Sequence, residues 1–174
     1  MNDLGIKVVR DLPMHSDSIL DLGCGILQEF DGHVPHAGDF LGVDVFIPYL
    51  EVMKNKMLTL VGELPDVCNS FLDDSFDVVL LLDVVEHLTK ENGVQALAQC
   101  ARIARKRVIV FTPVGYCKQE AWEAWGLPFC SYQKHLSGWS VEELEKDGYV
   151  CSIMPNYSEQ EGHINSIYGV KEIK

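Results

Sequence analysis

The stretch Ser18-Ile19-Leu20-Asp21-Leu22-Gly23-Cys24-Gly25-Ile26 decides the fold. Its first half is apolar and long enough for a buried strand, and it breaks at once into Asp-Leu-Gly-Cys-Gly. Two glycines around one small residue let the backbone take positive φ and let a ligand approach bare main chain. A strand ending in such a turn places a ligand at the carboxyl edge of an open sheet, where doubly wound folds bind nucleotides. What is missing narrows the ligand. The third glycine of a dinucleotide fingerprint would stand at Gln28, and no Gly-Lys-Ser/Thr of a phosphate-cradling loop follows. Asp21, an acid inside the turn, would repel a pyrophosphate and suits a cationic ligand.

Working outward, Leu4, Val8 and Leu12 recur at helical spacing before Pro13, predicting a short amphipathic helix over 2–12. After the first strand, 28–38 carries two glycines, a proline and two histidines, so any helix there is short or irregular. Phe40-Leu41-Gly42-Val43-Asp44-Val45 reads as a second buried strand closing on an acid. Residues 48–57 are helix-compatible, 57–61 a weak third strand, and 62–75 a turn-rich loop. Phe76-Asp77-Val78-Val79-Leu80-Leu81-Leu82-Asp83 is the strongest strand, apolar on both faces as a central parallel strand should be. A helix is expected over 91–104, a strand over 107–113 and an aromatic-rich connection over 114–139. Ser140 caps a helix ending near Gly148, and strands follow at 149–154 and 167–170. Strand and helix alternate throughout, which implies a mostly parallel sheet with helices on both faces.

Asp44 stands 21 residues after Gly23, at the end of the second strand. An acid there accepts hydrogen bonds from both hydroxyls of a ribose, which points to an adenosine ligand. A turn-capping aspartate is the plainer alternative.

These residues resemble motif I of the class I S-adenosylmethionine-dependent methyltransferases, an acid followed by Gly-x-Gly. The stretch Asp74-Ser75-Phe76-Asp77-Val78-Val79, with its exit Glu86-His87-Leu88, is similar to the family's fourth-strand motif, and a Thr-Pro strand end at 112–113 follows in family order. The segment Gln133-Lys134-His135-Leu136-Ser137-Gly138-Trp139 resembles a Gln-x-His-x-Ser-Gly-Trp signature of a subset of small type 11-like methyltransferases. The resemblance covers about residues 15–155. It implies an α/β, Rossmann-like three-layer sandwich with a seven-stranded, mostly parallel sheet whose last strand is antiparallel. It implies S-adenosylmethionine as cofactor, S-adenosylhomocysteine as product, and methyl transfer to oxygen or nitrogen of a small-molecule or glycan acceptor. Asp21, Gly23, Cys24 and Gly25 would hold the methionine and ribose side, with Asp44 and Val45 at the ribose. Asp66-Val67 would meet the adenine, with Glu63-Leu64 as competitor, and Asp83-Val84 would line the sulfonium. The enzyme's task is then to align a nucleophile with an activated methyl group, with a base assisting a hydroxyl. His135 and His87 are the candidates, and a packing role for His87 stays open.

The leading expectation carries no metal. Asp83, Glu86 and His87 are spaced i, i+3, i+4, so a helix starting at 83 would put them on one face, with His135 closing a cation site from across the cleft. That arrangement is similar to metal-assisted O-methyltransferases of small RNAs and ubiquinone precursors. Asp31-Gly32-His33-Val34-Pro35-His36 is a weaker metal candidate, read first as a solvated loop. Trp122, Trp125, Phe129, Tyr132 and Trp139 read equally as an apolar lid, as loop packing or as a dimer surface.

At 174 residues the chain suits one domain over 1–174. Its net charge of −12 argues against nucleic acid, and no Asn/Asp-Pro-Pro-Tyr/Phe motif of DNA amino-methylases follows the fourth strand. No apolar run reaches membrane-spanning length, no signal peptide opens the sequence, and the six scattered cysteines read as free thiols. A cytoplasmic monomer or homodimer, with no membrane or DNA partner, is expected. Two other readings remain at this stage: a silent S-adenosylmethionine-binding scaffold, and a nicotinamide oxidoreductase, which Gln28 disfavours.

Overall fold

The computed structural model describes residues 2–13, 18–34, 38–123, 125–158 and 164–174. Pro35 and His36 of the histidine-bearing segment lie outside them. The elements run α1 (Asp3–Asp11), β1 (Ser18–Leu22), β2 (Asp39–Asp44), α2 (Ile47–Met53), β3 (Leu58–Val61), β4 (Phe76–Leu82), α3 (Lys90–Ile103), β5 (Ala104–Pro113), α4 (Val141–Lys146), β6 (Val150–Ser158) and β7 (Ile164–Glu172). They form one seven-stranded sheet of order β3-β2-β1-β4-β5-β7-β6. Strands β1 to β5 pair in parallel, and β7 runs antiparallel between β5 and β6. This is the expected Rossmann-like sandwich with its antiparallel last strand.

Alternation along the central strands explains the layers. Val79 and Leu81 of β4 and Val108 and Val110 of β5 point to one face, where Leu97 and Ile103 of α3 and Leu144 of α4 cover them. Val78, Leu80, Leu82, Ile109 and Phe111 point to the other, beneath Leu4 and Val8 of α1 and Leu50 and Met53 of α2. With both faces buried, the apolar runs of β4 and β5 have to be continuous. The crossover from β1 to β2 holds no α-helix among its described residues, only a 3-10 turn at Gln28–Phe30. Phe30 and Leu27 of that turn pack with α1, which covers the face there. No helix among the described residues is long and apolar enough to cross a membrane.

The helix ends follow local chemistry. Asn2 caps α1, its side chain accepting from Gly5 N at 2.9 Å. Ser140 and Glu143 form a reciprocal capping box on α4, as the Ser-x-x-Glu pattern dictates. Helix α2 stops at Met53, four residues short of the expected end at 57. The last strands run longer than their apolar cores, since β6 and β7 continue pairing with each other beyond the buried stretch.

Candidate active site

The carboxyl ends of β1, β2 and β4 converge on two cavities of about 530 and 320 Å³ that share Gly23, Asp83 and His87 in their walls. The glycine turn after β1 is bound edge-on to β2: Gly23 N and Cys24 N both donate to Val43 O, at 2.7 and 3.0 Å. Gly23 takes φ +79°, and a Cβ there would lie 2.5 Å from Val84 Cγ2. Gly25, at φ +51°, has open space where a side chain would be. The turn thus needs glycine at one position for packing and at the other for its backbone angle.

Asp44 fastens this turn to the next strand. Its Oδ2 accepts from Gly25 N at 2.9 Å and its Oδ1 from Phe46 N at 2.8 Å. The Val45 backbone is a third partner, and an ionised carboxylate has about four lone-pair directions, so one stays available; Asp44 joins Val45 in the wall of the smaller cavity. Burial raises the Asp44 carboxyl above the usual range, against those backbone bonds. Asp21 is 3% exposed and lies under the turn rather than in either cavity wall. Burial, then Glu29 and Asp44, push it well up. Cys24 lines the larger cavity.

On the loop before β4, Glu63 and Leu64 reach the wall of the smaller cavity, together with Gly62. Asp66 and Val67 reach neither cavity: Asp66 opens a 3-10 turn, and Val67 is buried in the core under Gly62. The earlier acid-bearing pair, the competitor, is thus the one at the cavity.

After β4 the chain makes a tight turn in place of the helix expected to start at 83. Asp83 takes φ +55°, a left-handed conformation that aspartate tolerates better than most residues. Only Val85–His87 forms a 3-10 turn, and α3 begins at Lys90, capped by Thr89. The shared helical face of Asp83, Glu86 and His87 is therefore not formed. Instead the Asp83 carboxyl hydrogen-bonds to Glu86, and burial, with Glu86 and Glu29 adding, raises it well above the usual range. Burial pushes Glu86 up to about 7 against bonds to its own backbone and Thr112. Thr112 Oγ1, at the end of β5, donates to Glu86 Oε2 at 2.9 Å.

His135 reaches the same place from the loop before α4. Its ring stands 4.7 Å from that of His87, edge to face. His135 Nδ1 lies 2.6 Å from Cys117 O and His87 Nδ1 lies 3.3 Å from Lys134 O. A carbonyl only accepts, so each Nδ1 carries the proton and each Nε2 of the neutral ring is a bare lone pair. Burial, then the neighbouring His135, lowers His87 to about 4, and burial lowers His135 as well. Burial thus favours the neutral form of both rings.

The segment that carries His135 is stitched down by its own residues. Leu136 N and Ser137 N both donate to Glu86 O, at 2.8 and 3.1 Å. Ser137 Oγ donates to Val85 O at 3.0 Å, and Trp139 Nε1 donates to Ser137 Oγ at 3.1 Å. Trp139 is 3% exposed, lies against Gly93 of α3, and has Lys90 Nζ 3.7 Å from its ring centroid. A Cβ at Gly138 would run into Tyr116 N and lie 2.6 Å from the Gly115 carbonyl carbon. Ser137, Gly138 and Trp139 are thus the anchor of this segment, and Gln133 and His135 its business end, both lining the larger cavity. The other aromatics divide: Trp122 and Trp125 line the larger cavity, Tyr132 the smaller, and Phe129, 57% exposed, lines neither.

The glycine turn and the acid at the second strand end lie within a stretch that matches a known family. The model of the methyltransferase domain family matches residues 20–112, more than half of the chain. The chain belongs to this family. No curated protein matches it in sequence. The methyltransferase shares its fold with the YcgJ protein from Bacillus subtilis, at TM-score 0.68 and 13% identity over 98% of this chain and 97% of that one. An S-adenosylmethionine-dependent methyltransferase from Clostridium acetobutylicum aligns at TM-score 0.68 and 13% identity, over 99% of this chain and 90% of its own. Magnesium protoporphyrin IX methyltransferase from Synechocystis, solved with bound S-adenosylmethionine, aligns at 0.60 and 15%, over 97% and 78%. The family's cofactor is S-adenosylmethionine, and the nicotinamide reading falls away. Gln28, at the place of a third fingerprint glycine, begins only a three-residue 3-10 turn.

Proposed function

We infer that this methyltransferase carries a methyl group to an oxygen or nitrogen of a small-molecule or glycan acceptor in the larger cavity, working as one domain. The observation that carries the reading is the junction of the two cavities at Gly23, Asp83 and His87, with both histidine lone pairs beside it. When bound, S-adenosylmethionine supplies a methyl group already activated on a sulfonium. The residues present fit it. Gly23-Cys24-Gly25 offers bare backbone to the methionine end, Asp44 keeps one lone-pair direction for a ribose hydroxyl, and Glu63-Leu64 frames the adenine end. Asp83, shared by the two cavities, and Val84, in the wall of the smaller, would stand against the sulfonium.

The acceptor side is held by Gln119, Gln133, Trp122 and Trp125, an amide-and-aromatic wall suited to a hydroxylated ring. His135, pinned through Nδ1, presents Nε2 as the base that takes the acceptor's proton, with His87 beside it. Such a base contributes about 10²–10⁴-fold. The test is transfer of labelled methyl groups to a panel of phenols, amines and oligosaccharides, with S-adenosylhomocysteine formation measured in parallel. His135→Gln should leave S-adenosylhomocysteine affinity within about twofold while turnover falls by about 10²-fold or more. Full turnover in both His135→Gln and His87→Gln would overturn the assignment of the base.

A further inference from the structure

Glu86, His87 and His135 each offer a ligand atom, and these atoms lie within 4.8 Å of one another. The set is chemically one-sided. Each histidine spends its Nδ1 proton on a carbonyl, His87 on Lys134 O and His135 on Cys117 O, which leaves Nε2 of the neutral ring unprotonated. Glu86 adds a carboxylate held in place by the Thr112 hydroxyl. No lysine or arginine stands among the described residues lining the larger cavity to meet these acceptors, while Glu29 and Asp83 add further carboxyls. Three converging acceptors without a facing cation are what a metal ion resolves.

We propose that Glu86, His87 and His135 form a divalent-cation site open to the acceptor cavity. Two imidazoles and one carboxylate on one side of an ion, with the remaining positions free, suit a divalent transition metal such as manganese, iron, cobalt or zinc. The supporting contacts are those metal sites use: ligating histidines donate their other ring N–H to a backbone carbonyl, and the ligating carboxylate is itself hydrogen-bonded. The frame is rigid, because Leu136 N and Ser137 N clamp the His135 segment onto Glu86 O. The set differs from the one the sequence spacing suggests, since the Asp83 carboxyl stands outside the group of three and bonds to Glu86 instead.

The consequence concerns the acceptor and rests on the methyltransferase reading. All three ligands line the larger cavity, so the free positions face the place where the acceptor binds. A cation there takes an acceptor oxygen and lowers its pKa, so that the O–H proton leaves to solvent before the oxygen acts as nucleophile. This favours an acceptor with a hydroxyl; with the cation bound the two histidines serve as its ligands, and the base role of His135 belongs to the metal-free protein.

The experiment uses the full chain, freed of metal with a chelator and titrated with cobalt(II) chloride by calorimetry and visible absorption. One equivalent should bind with micromolar or tighter affinity and give a ligand-field band. Glu86→Gln and His135→Gln, each checked for fold by circular dichroism, should weaken it more than about 100-fold, and Thr112→Val about 10- to 100-fold. Absence of binding overturns the site. So does equal binding by wild type and both ligand variants, which would place the ion on surface carboxylates. S-adenosylhomocysteine titration of the same metal-free protein reports the cofactor reading separately. Nucleoside binding without cobalt binding refutes the metal site alone; cobalt binding with no nucleoside binding sustains the site and refutes the methyltransferase assignment.

Discussion

Trp139 holds the loop that carries His135 to the body of the protein, and its removal has a cost that follows from its surroundings. The side chain is 3% exposed, packs on Gly93, and covers Lys90 Nζ at 3.7 Å. Trp139→Ala empties a buried site, which costs about 3–5 kcal/mol in protein cores. Loss of the Lys90 contact adds about 0.5–1 kcal/mol at a partly exposed cation. Against a total stability of about 5–15 kcal/mol, the variant folds weakly or not at all at 37 °C. At a urea slope of about 2 kcal/mol/M the midpoint should fall by about 2–3 M, with the slope unchanged. Trp139→Phe keeps most of the ring and loses only the Nε1 bond to Ser137 Oγ, which still donates to Val85 O. That variant should lose about 1–2 kcal/mol, bind S-adenosylhomocysteine normally, and turn over more slowly because His135 sits on the loosened segment. If Trp139→Ala costs less than about 1 kcal/mol, the ring is no anchor and the reasoning fails.

Three further outcomes follow from the same contacts. Gly138→Ala, whose Cβ has only backbone of Tyr116 and Gly115 to meet, should destabilise by about 1–3 kcal/mol in the same urea assay, and a neutral result would mean the loop is free to move. Gly23→Ala should weaken S-adenosylhomocysteine binding at least about tenfold, because positive φ and Val84 both oppose the methyl group; unchanged affinity by calorimetry would contradict the placement of the turn against the cofactor. Burial raises the Asp44 carboxyl in the folded protein, so its contribution to apoprotein stability is present below the unfolded pKa of about 3.9 and is lost as pH rises through the folded value. The stability gap between wild type and Asp44→Asn should therefore shrink from pH 4 toward pH 7 in urea titrations, and a gap that widens would reverse the sign of the argument.

The fold was legible because the central strands are buried on both faces. Val78 to Leu82 cannot be anything but a sheet core, and the glycine turn behind Leu22 marks the ligand edge. The α4 capping box was equally plain, since Ser140 and Glu143 signal each other locally. What sequence spacing missed depends on tertiary turns. Asp83 adopts a left-handed conformation that breaks the helical register its spacing suggested. The loop after Gly62 folds Val67 into the core and leaves Glu63 and Leu64 at the cavity, the reverse of the order first expected. The aromatic connection could not be assigned as a whole because its members do different things: Trp139 anchors, Trp122 and Trp125 line the larger cavity, and Phe129 faces solvent. His87 and His135 lie 48 residues apart in sequence, and only the stitching of Leu136 and Ser137 to Glu86 brings their rings together.

The central claim is that Asp44 and the glycine turn hold the nucleoside of the methyl donor. Calorimetric titration of wild type and Asp44→Ala with S-adenosylhomocysteine tests it most directly. Micromolar binding to the wild type is expected. The variant forfeits a charge-assisted hydrogen bond worth about 1.5–3 kcal/mol, a loss of about 10- to 100-fold. Equal affinity in the two proteins, with the variant folded, would contradict the account.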